Sequence, residues 1–374
     1  MDMTINRLPA KTWNWLHMNE CELKDKNTEN TLYTIDAKVP SAIVVTETKK
    51  RTLEQLKTGM GEDMSLFMEH SITPIQCFQI PAKEQIIEPA ILNFFHKDSI
   101  NTMNEIEIHA EEGSQSTFIM NYHSEKNEEG SQSTFIMNYH SEKNSEGLLA
   151  IQTRIYAKKH SKVTVFQLQT LGEDVEHLND IGGYCEEGAT IEIVQIALGG
   201  KENYLGCHIE LAEKESELKS HIVYMGKGTQ RFDMNYVALH KGKKTKSNFL
   251  ADGILEDQAF KLLRGTIDFK KGSAGSEGEE KEEVLLLGED IVNQTIPLIL
   301  CAEEDVQGNH GATIGKLDEE VLFYLCSRGM SKEEAQKMIA RAKIDAVCRR
   351  VPDETSAQYV QQYLEEVDTH ESLS

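Results

Sequence analysis

Hydrophobic and polar residues alternate through the middle of the chain. From about residue 72, short segments with an apolar side chain at every second position recur over roughly two hundred residues. Examples are Glu105–His109, Lys162–Leu168, Thr190–Ile196, Cys207–Leu211 and Asp233–Leu239. A period of two is typical of β-strands that bury one face. Because almost no helical pattern interrupts these segments, the sequence predicts a sandwich, a barrel or a solenoid.

Glycines mark the turns between the segments. They stand at Gly182–Gly183, Gly199–Gly200, Gly226, Gly242 and Gly272. Pairs of segments recur at roughly twenty-residue intervals, which fits a coil of short rungs. The periodicity alone does not choose among the three architectures.

The two ends of the chain differ from the middle. Residues 1–71 are predicted to be helical and irregular, with short amphipathic helices at Arg51–Leu56 and Asp63–His70. Near the other end, Ile296–Cys301 is predicted to be a strand, followed by a polar loop that carries His310. The predicted organisation is therefore a helical and irregular region at 1–71, a β core at 72–313 and a helical region at 314–374.

Helix signals are clear after this loop. A first helix is predicted from about Asp318 to Arg328, with Gly329 at the left-handed stop position. A second helix is predicted to start at Ser331, where Glu334 completes a reciprocal capping box. Its apolar side is expected to comprise Ala335, Met338, Ile339 and Ala342.

The stretch HGATIGKLDEEVLFYLCSRGMSKEEAQKMI, residues 310–339, resembles the carboxy-terminal signature of the SufB/SufD family. These proteins are the scaffold subunits of the SUF iron–sulfur cluster assembly machinery. Weaker resemblance extends through LLLGEDIVNQTIP at 285–297 and LPAKTWNWLHMNE at 8–20. The resemblance implies a mainly β fold, a right-handed parallel β-helix, with helical segments at both termini that could cover the end rungs.

The resemblance also gives His310 a role. In SufD-type proteins the histidine of the His-Gly-Ala-Thr motif lies at the interface with SufB, near the nascent cluster, so His310 is a candidate iron ligand here. From the residues alone, a loop histidine bonded to a neighbouring carbonyl is the ordinary alternative. Cys301 could supply a thiolate nearby, but Leu298–Leu300 beside it favour packing in the core.

Two positions favour a SufD-like over a SufB-like chain, and a third, Gly308, argues against a thiolate–imidazole pair at this place. Glu282 stands where SufB-type proteins carry a thiol, and Gly311 stands where they tend to have glutamate. Some SufD proteins have cysteine two residues before the histidine, where this chain has Gly308. We therefore expect a transient cluster at the level of the complex and none stably bound by this chain alone.

The helix after His310 suggests a partner. Residues 321–325, Val-Leu-Phe-Tyr-Leu, are all apolar or aromatic, and the ordinary explanation is packing against the last rung. The resemblance implies instead that this region docks the ABC-type ATPase SufC. Expected contacts are Phe323, Tyr324, Arg328 and Met330. Since no nucleotide-binding motif is found, ATP hydrolysis would belong to SufC, and a SufB-type scaffold or a second copy would complete the complex.

Composition narrows the function classes. Lys+Arg number 39 and Asp+Glu 62, a formal charge of -23, which disfavours nucleic acid and anionic membranes as partners. No signal peptide is apparent in the first twenty residues, and no apolar run approaches the ~20 residues that span a bilayer. The seven cysteines are scattered without a Cys-x-x-Cys motif, so we expect reduced thiols, mostly in the core, and a cytoplasmic protein.

Two segments stand apart. The acidic, low-complexity stretch GSAGSEGEEKEE at 272–283 is predicted to be a mobile surface loop, since no Gly-Lys-Ser/Thr follows it. Residues 111–127 recur without a change as 128–144. We expect one copy to loop out while the other keeps the rung, so that proteolysis nicks one copy first; an added rung or hairpin is the alternative.

Two other functions stay open. A SufB-type scaffold would itself carry the nascent cluster. A β-helix enzyme acting on polysaccharide would set paired carboxylates along a groove, but no spacing in the sequence commits to that arrangement.

Overall fold

The computed structural model describes residues 1–12, 16–96, 100–124, 146–315 and 319–371. Its centre is a parallel β-solenoid, in which successive strands alternate between two sheets. Each of these two sheets has eight described strands from the coil, all paired parallel, and a ninth strand paired antiparallel at one edge. The β-helix implied by the family resemblance is therefore confirmed.

Sheet I contains the odd-numbered strands of the coil. They are β5 (Ile75–Ile80), β7 (Ile100–Ala110), β9 (Gly147–Ala157), β11 (Val175–Cys185), β13 (Glu202–Leu211), β15 (Arg231–His240), β17 (Phe260–Phe269) and β19 (Val292–Cys301). Sheet II contains the even-numbered strands. They are β6 (Ala90–His96), β8 (Gln115–Ser124), β10 (Lys162–Thr170), β12 (Thr190–Ala197), β14 (Glu217–Gly226), β16 (Lys246–Leu255), β18 (Ser276–Leu286) and β20 (Val306–Gly315).

One turn of the coil is longer than the sequence indicated. Lys162 pairs with Thr190 and Thr190 with Glu217, so 28 and 27 residues separate equivalent positions. Each turn needs two strands of about ten residues and two connections. The interval of roughly twenty residues predicted from the sequence was too short, because it left too few residues for the two connections in each turn.

Inward side chains stack in columns from turn to turn. Val163, Ile191 and Leu218 occupy equivalent positions on β10, β12 and β14, and all three are fully buried. Each such side chain contributes on the order of 1.5–3 kcal/mol by leaving water. Because every turn buries its inward residues on its neighbours, a last turn without a neighbour leaves its inward residues uncovered.

The amino-terminal region is largely irregular, as predicted, but its regular elements are mostly short strands, where the sequence predicted helices. It contains β1 (Met3–Ile5), β2 (Cys21–Leu23), β3 (Asp36–Lys38), β4 (Val44–Thr48) and one helix, α1 (Glu62–Met68). The predicted helix at 63–70 is α1, whereas 51–56 forms turns. There the N–H groups of Thr52 and Leu53 donate to the Glu107 carboxylate of the coil, which replaces helical hydrogen bonds.

This region covers two surfaces of the coil. β3 and β4 pair antiparallel with β6 and β5 and so occupy the first edge of each sheet. Residues of β1, β2 and α1 pack on the outer face of sheet I, against Leu148 and Leu178 among others.

Three helices follow the coil: α2 (Glu319–Ser327), α3 (Lys332–Cys348) and α4 (Glu354–Glu371). Gly329 has a φ of 100°, and Ser331 and Glu334 form the capping box, so both helix signals are confirmed. α3 and α4 lie on the outer face of sheet II and do not cover the end of the coil. The expectation that the carboxy-terminal helices cap the last rung was therefore wrong.

The buried side of α3 matches the predicted one only in part, since Ala335 is buried and Ile339 is half-buried as expected. Ala340, Ile344 and Val347 pack against sheet II, whereas Met338 and Ala342 are exposed. Ion pairs fix this rotation of the helix: Lys343 Nζ lies 2.9 Å from Glu283 Oε2, and Arg350 Nη2 lies 2.6 Å from Glu192 Oε1. Helical periodicity alone could not show which side of α3 packs on sheet II, because ion pairs with the sheet determine it.

The remaining sequence predictions have mixed outcomes. All seven cysteines are free, and five are buried. No helix in the described ranges is long and apolar enough to cross a membrane. The first tandem copy supplies β8, whereas the second, residues 128–144, lies outside the described residues, so the proteolysis prediction is untested.

Candidate functional site

The coil ends at an open edge. β19 and β20 are the outermost strands of their sheets, and no segment of the described chain pairs with their outer edges. All ten residues of β19 and all ten of β20 are half-buried or exposed, with Gln307–Ile314 exposed throughout, because no further described turn covers their inward side chains. An edge of this length presents a row of unpaired backbone groups and uncovered inward side chains.

His310 lies on this last strand, whereas the sequence predicted that it lies in a loop. The polar run around it pairs residue by residue with β18, and His310 stands opposite Glu280. Its side chain is 25% exposed, and its Nδ1 lies 3.8 Å from Glu280 Oε2. His310 therefore sits at the mouth of the coil, above the interior.

Glu280 is buried inside the coil beneath His310. It is 2% exposed, and among the described residues neither carboxylate oxygen has a hydrogen-bond partner. Gly265 on the opposite sheet makes room for it, since a Cβ there would lie 2.1 Å from Glu280 Oε1. Burial, followed by the charge of Glu282, raises the pKa of Glu280 to about 7.

A fully buried ion pair lies beside Glu280. Lys261 Nζ donates to Glu282 Oε1, to Thr295 Oγ1 at 2.8 Å and to the Gln294 carbonyl at 3.1 Å. Thr295 Oγ1 is also 2.7 Å from Glu282 Oε2. Burial lowers the pKa of Lys261. Lys261 and Glu282 offset each other's charge, and the Lys261 charge lowers the pKa of Glu280 by less than burial and Glu282 raise it.

These carboxylates lie in the acidic stretch that the sequence analysis predicted to be a mobile loop. That prediction was wrong: residues 276–286 form β18, with Gly278, Glu280, Glu282 and Val284 facing inward. Glutamate at inward positions concealed the alternation, because the pattern search looks for apolar residues there. The spacing of strands along the coil is the signal that could have placed a strand here, since Glu277 follows Lys246 by 31 residues.

Cys301 is exposed, although the sequence favoured packing in the core. It stands opposite the buried Phe269 at the end of β19, where no further turn covers it. Gly308, on β20, faces the same interior as His310, and a Cβ there would meet Ile299 Cγ2 at 2.8 Å. Since residue 308 is glycine, it supplies no thiol at the mouth of the coil. Among the described residues of the last turn, Cys301 carries an exposed thiol.

The helix α2 presents its apolar residues to solvent. None of its residues is buried, and Phe323, Tyr324 and Val321 are 75%, 56% and 45% exposed. The Arg328 guanidinium lies 5.2 Å from the centre of the Tyr324 ring, and Met330 is half-buried beyond it. The ordinary explanation for this apolar helix, packing on the last rung, does not hold. An exposed cluster of this kind is typical of an interaction surface.

No group of three or more His, Cys, Asp or Glu side chains in the described ranges is arranged to hold a metal ion. Among the described residues, Glu280 and His310 are two potential ligand side chains that lie close together at the mouth of the coil.

Comparison with known families agrees with this arrangement. Residues 126–343 match the model of the SufBD core domain of the SUF system for iron–sulfur cluster assembly. The chain belongs to the SufBD family. The matched range contains the coil from its middle turns to the open edge, together with α2 and most of α3.

Some relatives of the chain are named SufD and others are named SufB. The chain is 24% identical to the iron–sulfur cluster assembly protein SufD of Bacillus subtilis over 309 residues, 80% of this chain and 66% of that protein. It is 28% identical to SufB of the same organism over 202 residues, 54% of this chain and 43% of that protein. A SufBD family protein of Mycobacterium leprae is 29% identical over 54% of this chain. The match spans only 23% of the length of that protein.

Proposed function

We propose that this chain is a SufD-like, non-catalytic subunit that pairs with a SufB-type scaffold through the open end of its coil. The uncovered edge formed by β19 and β20 carries this proposal. A second solenoid that places its own last turn there would pair the free backbone groups and bury the uncovered column. The nascent iron–sulfur cluster is then the cargo held where the open ends of the two coils meet.

The chemistry at position 282 supports the SufD-like alternative over the SufB-like one. Glu282 is held by Lys261 and Thr295 and is fully buried, so the position offers neither a thiolate nor a free ligand. A SufB-type chain that carries the cluster itself would need a thiolate at this place. The family membership leaves the polysaccharide enzyme without an observation in its favour.

The pairing can be tested at Ile314. This residue continues the inward column of Val284 and is 48% exposed. We expect Ile314→Lys to weaken capture of a co-expressed SufB-type subunit at least tenfold, because a partner turn would bury the ammonium without a counter-charge. Gln307→Lys, on the outward side of the same strand, is the matched control and should bind normally. Equal capture by both variants would contradict pairing through the mouth.

We further propose that α2 docks a SufC-type ABC ATPase, which supplies ATP hydrolysis to the complex. The exposed Phe323 and Tyr324 carry this assignment. A change in SufC would then shift the arrangement of the two scaffold subunits.

Phe323→Ser should reduce SufC pull-down at least tenfold, since large aromatic anchors dominate such interfaces. Ile87→Ser is the control, because Ile87 is 94% exposed and lies far along the chain from α2. Thermal unfolding of both variants should match the parent chain. Full SufC capture by the Phe323 variant would refute docking through α2.

A further inference from the structure

A histidine on the outer face of sheet II lies between an aspartate of the sheet and an arginine that follows α3. His221 is on β14, and its side chain is 14% exposed. Its Nε2 lies 2.8 Å from Asp252 Oδ2 on β16, and its Nδ1 lies 3.0 Å from Arg350 Nη1. Arg350 is two positions beyond Cys348, the last residue of α3. The contact therefore joins the end of α3 to the sheet.

This arrangement requires a neutral imidazole. A guanidinium only donates hydrogen bonds, so Nδ1 of His221 accepts the one from Arg350. The ring proton is then on Nε2, which donates to Asp252. Burial would raise the pKa of Asp252, but the hydrogen bond from His221 and the charge of Lys343 lower it, so Asp252 is an ionised acceptor near neutral pH. A second ring proton would place an N–H group and a positive charge against the guanidinium.

The charges around His221 are divided between the sheet and the helix segment. Two carboxylates belong to the sheet, Glu192 on β12 and Asp252 on β16. Two cations belong to the helix segment: Arg350 Nη2 lies 2.6 Å from Glu192 Oε1, and Lys343 Nζ lies 3.5 Å from Asp252 Oδ1. If α3 moves away, both cations leave and both carboxylates stay. The docked arrangement thus opposes a proton on His221, and the released one favours it.

Two further charges lie one contact away from this group. Lys162 Nζ on β10 is 3.5 Å from Glu192 Oε2, and Glu283 Oε2 on β18 is 2.9 Å from Lys343 Nζ. Both belong to sheet II and stay with it when α3 moves. Because one is positive and the other negative, they leave the balance at His221 unchanged.

We propose that His221, Asp252 and Arg350 form a proton-sensitive latch, which holds the end of α3 on sheet II while His221 is neutral and releases it when His221 takes up a proton. Ile344 and Val347 of α3 also pack on the sheet, so release is a local opening and not unfolding of the chain. Since α3 contacts α2, the latch also sets how firmly the exposed apolar helix is held. It operates in the isolated chain and needs no partner subunit.

Hydrogen–deuterium exchange of the full chain, corrected for the intrinsic exchange rate at each pH, tests the latch. The amides of Arg350 and Val351, which bond to the last turn of α3, report its opening. An ordinary histidine takes up its proton near pH 6.5. Between pH 7.5 and pH 5.5 we therefore expect exchange to rise about tenfold more in the parent chain than in His221→Gln, whose amide makes both contacts but takes up no proton. His123, whose ring contacts α4, is present in both chains and cancels in this comparison.

Three further variants separate the latch from ordinary ion pairing. Arg350→Gln removes the cation that opposes the proton, so α3 should open more at neutral pH and the rise in acid should shrink to that of His221→Gln. Lys343→Gln also removes ion pairs but keeps the contact between Arg350 and His221, so α3 should open more and the rise should remain. His70→Gln, at an exposed histidine of another region, should behave like the parent chain. Circular dichroism checks that each variant is folded.

Two results would overturn the latch. One is a rise in His221→Gln as large as that in the parent chain, because another group would then take up the proton. The other is an equal loss of the rise in Arg350→Gln and Lys343→Gln, which would assign the effect to the ion pairs of α3 in general.

Discussion

Lys261→Met is expected to destabilise the coil by about 3–5 kcal/mol, the usual cost of removing one member of a buried ion pair. The change leaves Glu282 inside the coil without its ammonium, beside a second buried carboxyl, Glu280. Tyr224, whose hydroxyl lies 3.5 Å from Glu282 Oε1, cannot replace the lost charge. Urea denaturation at neutral pH measures the loss directly.

A double variant separates the loss of charge from the loss of packing. Lys261→Met/Glu282→Gln removes both charges and keeps similar volumes, so most of the lost stability should return. Lys281→Met, an exposed neighbour on β18, is the control and should change stability by less than about 0.5 kcal/mol. A double variant as unstable as Lys261→Met would show that methionine packs badly and that the unpaired charge is not the cause.

Most of the fold was predictable because apolar alternation is a local signal. The strands at Lys162–Leu168 and Thr190–Ile196 follow directly from it, and both are in the structure. Gly329 and the Ser331–Glu334 capping box were predictable for the same reason, since each depends on residues adjacent along the helix.

The candidate site was only partly predictable. His310 was found through a motif, but its neighbour Glu280 is thirty positions earlier in the sequence and was hidden in an acidic run. The two meet because one turn of the coil separates them, and the sequence analysis had underestimated that length. The exposure of Cys301 was missed for a related reason: its apolar neighbours indicated a core, but the coil ends there and nothing covers them.

Several buried histidines make the chain sensitive to acid. Burial lowers the pKa of His123 and of His177 to about 3, and those of His96, His208 and His240 to about 4. His177 lies against the Tyr122 ring, with 5.5 Å between ring centres, inside the coil. His123 Nδ1 is 2.8 Å from Thr170 Oγ1, and its ring contacts Tyr359 of α4. Protonation of either ring places a charge where no water reaches it.

The direction of the effect follows from proton uptake. An unfolded histidine takes up a proton near pH 6.5, whereas these folded ones wait until about pH 3–4. Between those values the unfolded chain binds more protons, so the free energy of unfolding falls as the pH falls. Each histidine then costs about 1.4 kcal/mol per pH unit below 6.5. The carboxyl groups of Glu280, Glu176 and Asp180 oppose this trend because burial raises their pKa values, but they are three groups against five.

We therefore expect the free energy of unfolding to fall by several kcal/mol between pH 7 and pH 5, as measured by urea denaturation at each pH. His177→Gln should reduce the steepness of this fall by about one proton, because it removes one group that only the unfolded state protonates. His70→Gln changes an exposed histidine and should leave the steepness unchanged. Stability that is constant from pH 7 to pH 5 would contradict the prediction, since five buried neutral imidazoles cannot be exposed to acid without taking up protons.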